Sequence, residues 1–415
     1  MRAYNIAKWL SRRGWEVTVV TPAVEVWRNP ESAGEVELML AREGIRCIRT
    51  EHRWRVLSPA HLAGPDSWAW LVAGGVVRRA ARLSGFEVEV GWLSEAERAC
   101  AGLEGQDVDL ILATGAPFTS FELASRLAGR LRRPLVLDYR DLWTTNPHVG
   151  PPRESAFAAE KALLRRCAAA IAVSPGVADS LQSQCPPGMR VHVITNGHDP
   201  EELAEIRPIR FDHFAIVYAG VFYPPKRVIT PVMAAFQQLK SLRPVGADWR
   251  FHYYGLQSDH VRSAAAEHGV GDKVFLHGLQ PRRKVLAAVK GAGVSVIIAS
   301  VEQSASRRDR GIVTGKVFDA IGLGTPMLVV APAGSDLEAI VRTAGRGGRF
   351  DGTETDRMAS FLANAIEGRV PPSGQPAVYA WPNMVTELDA VLRSCLEAHQ
   401  KPVARSAASA AMIGS

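Results

Sequence analysis

Short apolar runs alternate with helical patterns along almost the whole chain. Such alternation is typical of parallel βαβ units, in which each buried strand is followed by a crossover helix. The pattern therefore predicts an α/β fold with parallel sheets. The strands expected in the first half are Glu16–Thr21, Arg46–Arg49, Leu110–Thr114, Leu135–Tyr139, Ala169–Val173 and Val191–Thr195. The helices expected there are Asn5–Arg13, Ser120–Leu131 and Glu154–Arg166.

A second α/β series follows the connector Arg207–Asp212 and ends in a long apolar helix, Trp381–His399. Because each series can form its own sheet, the pattern predicts two sheets whose strand ends face one cleft, where open α/β sheets bind ligands. The expected elements of this series are Ala215–Tyr218, Thr230–Leu239, Arg250–Tyr254, His260–Glu267, Val274–His277, Arg282–Lys290 and Val294–Ala299.

The length of the chain also favours two domains. A single hydrophobic core rarely extends over 415 residues, so we expect a division near residue 206. The tail is rich in Ala and Ser without an apolar period, and we expect it to be disordered. The expected units are residues 1–206, residues 207–378, a C-terminal helix at 379–400 and the tail at 401–415.

Net charge and cysteine usage restrict the partners. A net charge of +7 favours anionic partners, but no nucleic-acid-binding motif accompanies it, so we expect no nucleic acid. The five cysteines lack metal-ligand spacing and the eleven histidines form no ligand motif, which predicts a reducing cytoplasm and no metal.

The run Trp68–Val77, followed by Arg78, Arg79 and Arg82, fits either a core helix or an interfacial helix on anionic lipid.

The segment Gly311–Pro332 carries the strongest functional pattern. It predicts a turn at Thr314–Gly315, a short helix that begins near Lys316, and then a buried strand, Met327–Val330. The free N–H groups and positive dipole of such a helix start suit a diphosphate, and Lys316 adds a charge. Asp319 follows one helical turn later, where a carboxylate can accept both hydroxyls of a ribose.

Other candidate residues follow the predicted strands. Gly220, after Ala215–Tyr218, lets the backbone approach a ligand, and Lys226 can assist Lys316 in binding a diphosphate. Lys226 can equally be a solvated lysine at a helix start. Arg140 and Asp141 follow the strand Leu135–Tyr139 and either line the cleft or pair with each other or a neighbouring loop.

Together these pieces resemble glycosyltransferase family 4, over residues 1 to about 399. The more specific matches are Asn5–Thr21, Gly91–Trp92, Asp109–Phe121, Leu137–Pro147, Ser174–Val177, Thr195–Asp199, Gly220–Lys226, Val274–Gly278 and Thr314–Val330. The resemblance implies a retaining, metal-independent enzyme with the GT-B fold, two Rossmann-like domains facing across a cleft. The donor would bind the C-terminal domain and the acceptor the N-terminal one, and the last helix would cross back to the first domain.

The resemblance also assigns roles to single residues. Lys226 matches the diphosphate lysine, and Thr314, Gly315 and Lys316 match the pyrophosphate turn. Asp319 stands where a ribose-binding glutamate is usual, and Val274–Gly278 matches a region near the nucleobase.

Four departures accompany this match. Val221 replaces a phosphate arginine, Gly311 replaces the first glutamate of a pair, and Arg140 replaces a histidine. The chain also opens inside the first helix, so we expect that the first strand of the fold is missing from this sequence. Gly-Arg-Gly-Gly at Gly345–Gly348 is expected to be only a loop.

The sequence thus predicts a transferase that moves a sugar from a nucleoside diphosphate to a saccharide or lipid-linked acceptor in cell-surface polysaccharide or glycolipid synthesis. Its site residues would be Arg140, Asp141, Lys226 and Lys316 for catalysis, with Gly220, Thr314, Gly315 and Asp319 completing the donor site. No cofactor beyond the sugar nucleotide is expected, and the protein would be cytoplasmic, at or near the inner membrane face. Two alternatives stay open: a nucleotide-sugar epimerase on the same fold, or a truncated, non-catalytic binding module.

Overall fold

A computed structural model of the chain consists of parallel sheets flanked by helices, which confirms the predicted α/β class. The possible interfacial helix at residues 68–82 and the tail at 401–415 lie outside the residues that the structure describes. Those residues are 1–23, 30–51, 90–146, 154–242, 248–303, 306–370 and 376–400.

The N-terminal half contains two separate parallel sheets. Strands β1 and β2 pair with each other, and the other four strands form a second sheet in the order β3-β4-β5-β6. In the described residues no backbone pairing joins β1 to β3. The strands are β1 (Thr18–Pro22), β2 (Arg46–Thr50), β3 (Ile111–Gly115), β4 (Leu135–Tyr139), β5 (Ala169–Ala172) and β6 (Val191–Val193).

Helices cover these sheets because each carries an apolar stripe. Phe121 and Leu164, both fully buried, pack on the inner residues of β4 and β5. The helices are α1 (Arg2–Ser11), α2 (Pro30–Arg42), α3 (Val90–Ala99), α4 (Thr119–Leu131), α5 (Glu154–Leu164), α6 (Pro175–Gln182) and α7 (Pro200–Ala204).

The C-terminal half is built on one six-stranded parallel sheet. Its spatial order is β12-β11-β10-β7-β8-β9, which is the strand order of a Rossmann fold. The order reverses between β7 and β10, so their carboxyl ends flank the crevice in which such sheets bind ligands. The strands are β7 (Phe214–Ala219), β8 (Trp249–Tyr254), β9 (Val274–Leu276), β10 (Val294–Ile298), β11 (Met327–Val330) and β12 (Gly347–Phe350).

Two apolar clusters, one on each face, bury this sheet. The last helix leaves it and packs on the N-terminal half, where Trp381 and Leu388 contact Ile6 and Leu10 of α1. In the described residues no helix is long and apolar enough to cross a bilayer. The helices here are α8 (Thr230–Leu242), α9 (Ser258–Glu267), α10 (Arg282–Gly291), α11 (Arg307–Arg310), α12 (Lys316–Leu323), α13 (Asp336–Ala344), α14 (Thr355–Ile366) and α15 (Trp381–Gln400).

One predicted loop is in part a strand. Gly347 and Gly348, expected to belong to a loop, begin β12 and pair with Met327 and Leu328 of β11. A Cβ on Gly347 would lie 2.5 Å from the carbonyl oxygen of Met327. Glycine is therefore needed here because two backbones approach closely. In the sequence alone, such a glycine cannot be distinguished from the glycines of a loop.

Candidate active site

The corner at the start of α12 lies directly beside the end of β7. Helix α12 begins at Lys316, immediately after Thr314 and Gly315, as the sequence predicts. A Cβ on Gly220 would collide with Lys316 Nζ, so the absence of a side chain at Gly220 leaves room for the lysine. The structure therefore brings Gly220 and Lys316 together at the crevice of the Rossmann-type sheet.

Lys316 is a partly buried cation with no ion-pair partner among the residues that the structure describes. Its pKa is lowered to about 8, first by burial and then by the charge of Arg227, while Asp319 acts in the opposite direction. The ammonium lies 5.7 Å from the centre of the Tyr218 ring, and no carboxylate in the described residues pairs with it. A partly buried ammonium with a second cation within electrostatic reach favours the binding of a phosphate.

Arg227, which sequence analysis did not select, lies within electrostatic reach of Lys316. Its guanidinium lies 5.3 Å from the ring centre of Tyr223, and its buried Nε has no hydrogen-bond partner among the described residues. The only signal in the sequence was its position next to Lys226. Since consecutive residues point in different directions, the sequence alone does not show which of the two cations faces Lys316.

Lys226 points instead to an acidic partner. Its ammonium lies 2.7 Å from Oδ1 of Asp309 and 3.7 Å from Glu302. Asp309 is buried and also accepts hydrogen bonds from Ser306. The hydrogen bond to Asp309 raises the pKa of Lys226. The role of Lys226 in diphosphate binding stays a prediction, and in this structure its charge is already neutralised.

Asp319 is engaged by an arginine from outside the predicted cradle. Both of its carboxylate oxygens accept hydrogen bonds from Arg282, at 2.9 and 3.1 Å. Arg282 also donates to Glu202 of α7, at 2.8 and 3.1 Å. Burial lowers the pKa of Arg282, but Asp319 and Glu202 more than offset this and raise it. A ribose bound at Asp319 must therefore share the carboxylate with Arg282 or displace it.

Arg140 follows β4 and approaches this cluster from the N-terminal half. Its Nη2 donates to the carbonyl of Ala116, while its buried Nε has no partner within the described chain. The pKa of the Met1 amine is lowered by burial, by Arg140 and by Arg282, whereas Glu202 and Asp319 raise it. Arg140 and Arg282 therefore lie within electrostatic reach of one atom. Asp141, the next predicted residue, is exposed.

A direct seam joins the two halves beside the Lys316 corner. Ser174 Oγ donates to the carbonyl of Gly311 and the Gly176 N–H donates to Asp336 Oδ2, both at 2.8 Å. A Cβ on Gly311 would lie 3.1 Å from the backbone of Gly176. The absence of a side chain at Gly311, noted above as a departure, therefore permits this close contact between the halves.

Comparison with known proteins relates the N-terminal half of the chain to a described family. Residues 1–197 match the family described as glycosyl transferase 4-like domain. This region is therefore similar to a glycosyl transferase 4-like domain. No curated protein matches it in sequence. Within the described residues no group of three or more His, Cys, Asp or Glu side chains is arranged to hold a metal ion.

Solved structures agree with a GT-B fold for the chain. Sucrose-phosphate synthase from Thermosynechococcus elongatus is 16% identical, with 96% of this chain and 93% of that one covered and a TM-score of 0.64. Anabaena HepE in complex with UDP and glucose is 13% identical, with coverages of 94% and 95% and a TM-score of 0.58. UDP-GlcNAc 2-epimerase from Neisseria meningitidis is 15% identical, with coverages of 94% and 95% and a TM-score of 0.53. At such identities the likeness concerns the fold alone.

Proposed function

We propose that the enzyme is a retaining transferase that moves a sugar from a nucleoside diphosphate to a saccharide or lipid-linked acceptor. One observation carries this proposal: Lys316 lies at the crevice of a Rossmann-ordered sheet, within electrostatic reach of Arg227, and no carboxylate in the described residues forms an ion pair with it. A diphosphate is the leaving group that such a pair stabilises best, since its negative charge grows as the glycosidic bond breaks.

The remaining residues would serve the same step. The backbone N–H groups of Thr314, Gly315 and Lys316 lie at the start of α12, where they and the helix dipole favour phosphate oxygens. Asp319 would receive the ribose hydroxyls. An arginine cannot act as a general base. Arg140 would therefore bind a phosphate or sugar oxygen of donor or acceptor, together with Asp141, and the departing phosphate would accept the acceptor's proton.

A ligand screen followed by a transfer assay tests the proposal. HepE, a structural neighbour, is seen with UDP and glucose, which supports a sugar nucleotide as the donor class. Selective binding stabilises a folded protein, so the matching nucleoside diphosphate should raise the melting temperature. Transfer from the corresponding sugar nucleotide to an acceptor, with the anomeric configuration kept in the product by NMR, would support the proposal. Absence of stabilisation by every nucleoside diphosphate would contradict it.

The pKa of Lys316 makes donor affinity depend on pH. The ammonium form attracts the diphosphate. We therefore expect the affinity for a sugar nucleotide to be highest well below pH 8 and to fall as the pH rises through 8. At pH 8 binding should take up about half a proton. Calorimetry in two buffers of different ionisation enthalpy measures this uptake. The uptake should vanish in Lys316→Ala, and an equal uptake in that variant would assign it to another group.

We also propose that the transfer needs no metal ion. Lys316, Arg227 and the start of α12 would supply the positive charge that a divalent cation supplies in other transferases. Transfer should therefore proceed at an unchanged rate after dialysis against EDTA, measured with and without added Mg²⁺ or Mn²⁺. A rate that falls with EDTA and returns with either cation would show that the protein groups are insufficient.

The epimerase alternative has one supporting observation, the structural likeness to a UDP-GlcNAc 2-epimerase. Incubation with donor alone separates the two activities. An epimerase converts the sugar nucleotide to its epimer without an acceptor, whereas a transferase gives at most slow hydrolysis. Formation of an epimer at a rate comparable to transfer would favour the alternative.

The place of action is the last part of the proposal. A cell-surface polysaccharide or glycolipid is built from acceptors at the inner face of the membrane, and the net charge of +7 suits an anionic lipid surface. The enzyme would then act in the cytoplasm and bind that surface peripherally. Flotation with anionic liposomes tests this, and recovery in the liposome-free fraction only would contradict it.

A further inference from the structure

Exposed apolar side chains follow the carboxyl ends of β8 and β9, on one side of the Lys316 corner. On the opposite side, toward β11, the contacts Ser174–Gly311 and Gly176–Asp336 join the two halves. Beyond β8 and β9, by contrast, Leu256 and Leu279 are 69% and 67% exposed. A nucleobase attached to a diphosphate at Lys316 therefore has room over the ends of β8 and β9, beside apolar side chains.

A hydrogen-bonded row of three histidines leads to this open edge. His213 precedes β7, His252 lies within β8, and His277 follows β9. The Nε2 atoms of His213 and His252 are 2.8 Å apart, and His252 Nδ1 is 2.9 Å from His277 Nε2. Adjacent rings are nearly coplanar, at 9° and 16°, with their centres 5.0 and 5.2 Å apart. The rings therefore meet edge to edge, along their lone-pair directions.

The first ring of the row is fixed by a carboxylate. Asp212 Oδ1 pairs with Nδ1 of His213, and its side chain is otherwise exposed to solvent. The hydrogen bond to His213 lowers the pKa of Asp212, so the carboxylate is ionised and only accepts. His213 must therefore carry its proton on Nδ1, and its Nε2 is left as an acceptor when the ring is neutral.

Each later ring is then determined by the one before it. When His213 is neutral, His252 donates from Nε2 to it, which leaves the Nδ1 of His252 as an acceptor. His277 must donate from Nε2 to His252, which leaves its Nδ1 with a free lone pair. Burial and the neighbouring rings lower the pKa of His252 to about 4, and burial lowers that of His277. Both rings are therefore neutral at neutral pH.

The last ring of the row, His277, lies at the carboxyl end of β9. The His277 ring stacks on Tyr254, with ring centres 4.3 Å apart and planes within 8°. No group in the described residues donates to His277 Nδ1. The ring is only partly buried, in contrast to the buried His252. An acceptor of fixed orientation therefore lies at the edge next to which Leu256 and Leu279 are exposed.

We propose that His277 Nδ1 accepts a hydrogen bond from a ring N–H of the donor's nucleobase, and that Asp212, His213 and His252 are positioning residues that fix this tautomer. The ligand class is an imide base: uracil or thymine through N3–H, or guanine through N1–H. Adenine and cytosine carry a lone pair at the corresponding ring nitrogen, which would face the lone pair of His277. This inference rests on the proposed sugar-nucleotide function.

Nitrogen NMR tests the tautomer without any ligand. In protein labelled with ¹⁵N-histidine and held at pH 8, where a histidine of ordinary pKa is neutral, we expect His277 to be protonated on Nε2 only. The signal is assigned from its disappearance in His277→Phe. Protonation of His277 on Nδ1 instead would overturn the proposal. Asp212→Ala changes an exposed side chain and removes the acceptor that fixes the proton on His213 Nδ1. Each of the three rings should then show signals of both tautomers.

Binding of UDP, GDP, CDP and ADP tests the base preference. We expect UDP or GDP to bind the wild type at least about tenfold more tightly than CDP and ADP. His277→Phe keeps an aromatic ring on Tyr254 but should abolish this preference, and Asp212→Ala should reduce it several-fold. His399→Phe, a change on α15 away from this edge, should leave it unchanged.

The outcomes separate this inference from the proposed function. Equal binding of all four nucleotides by the wild type, or an unchanged preference in both His277→Phe and Asp212→Ala, would overturn the role of His277 alone. Binding of none of the four would overturn the sugar-nucleotide function and this inference with it. Lys316→Ala should weaken all four nucleotides by the same factor, because it removes a phosphate contact and no base contact.

Discussion

Replacing Lys316 with alanine should lower kcat/KM for the sugar nucleotide by roughly 30- to 150-fold, which corresponds to about 2–3 kcal/mol of transition-state stabilisation. The reason is that neither Lys316 nor Arg227 forms an ion pair in the described residues, so the departing diphosphate is the charge that they would stabilise. Initial rates at several donor concentrations measure the effect.

The same substitution should leave the fold intact. Lys316 has no counter-ion in the described residues, so its removal breaks no ion pair. Burial already lowers its pKa, and loss of a partly buried charge does not destabilise the folded state. We therefore expect an unchanged or higher melting temperature. Lys161→Ala, at an exposed position of α5, is the matched control. An unchanged kcat/KM in Lys316→Ala would remove the main support for the diphosphate site.

Arg227→Ala should lower activity with little loss of stability, whereas Lys226→Ala should mainly lower stability, although the two residues are adjacent. Arg227→Ala should lower kcat/KM by at least about tenfold, because it removes one of the two charges that face the diphosphate. Its effect on stability should be small, since Arg227 forms no ion pair within the described chain. Kinetics and urea unfolding of the same preparations measure both effects.

Lys226→Ala should instead reduce stability. It leaves Asp309 buried without its cation, which costs about 1–3 kcal/mol of unfolding free energy. Asp309→Asn in the Lys226→Ala background should restore part of that loss, because a neutral amide is easier to bury. A large kinetic defect in Lys226→Ala with unchanged stability would return the diphosphate role to Lys226, as the family resemblance implies.

Much of the fold was predictable because its determinants are local. Apolar runs with β-branched residues define buried strands, and the strands Leu135–Tyr139 and Met327–Val330 occur at the predicted bounds. The turn, short helix and strand that carry Lys316 were also predicted, since a helix start depends on a few neighbouring residues. Strand β12 was not predicted, because Gly347 is there for contact with Met327, which lies twenty residues away.

The sequence by itself determined the α/β class, the two series of strands and the position of Lys316 at a helix start, because periodicity and turn chemistry act over a few residues. Only the tertiary structure decided that Arg227 lies within electrostatic reach of Lys316 and that Arg282 donates hydrogen bonds to Asp319. It also decided that three histidines from separate elements form one hydrogen-bonded row. Those pairings depend on strand order and register, which bring distant residues together. A local sequence pattern does not show which distant residues come into contact, so these pairings can be known only from the assembled sheet.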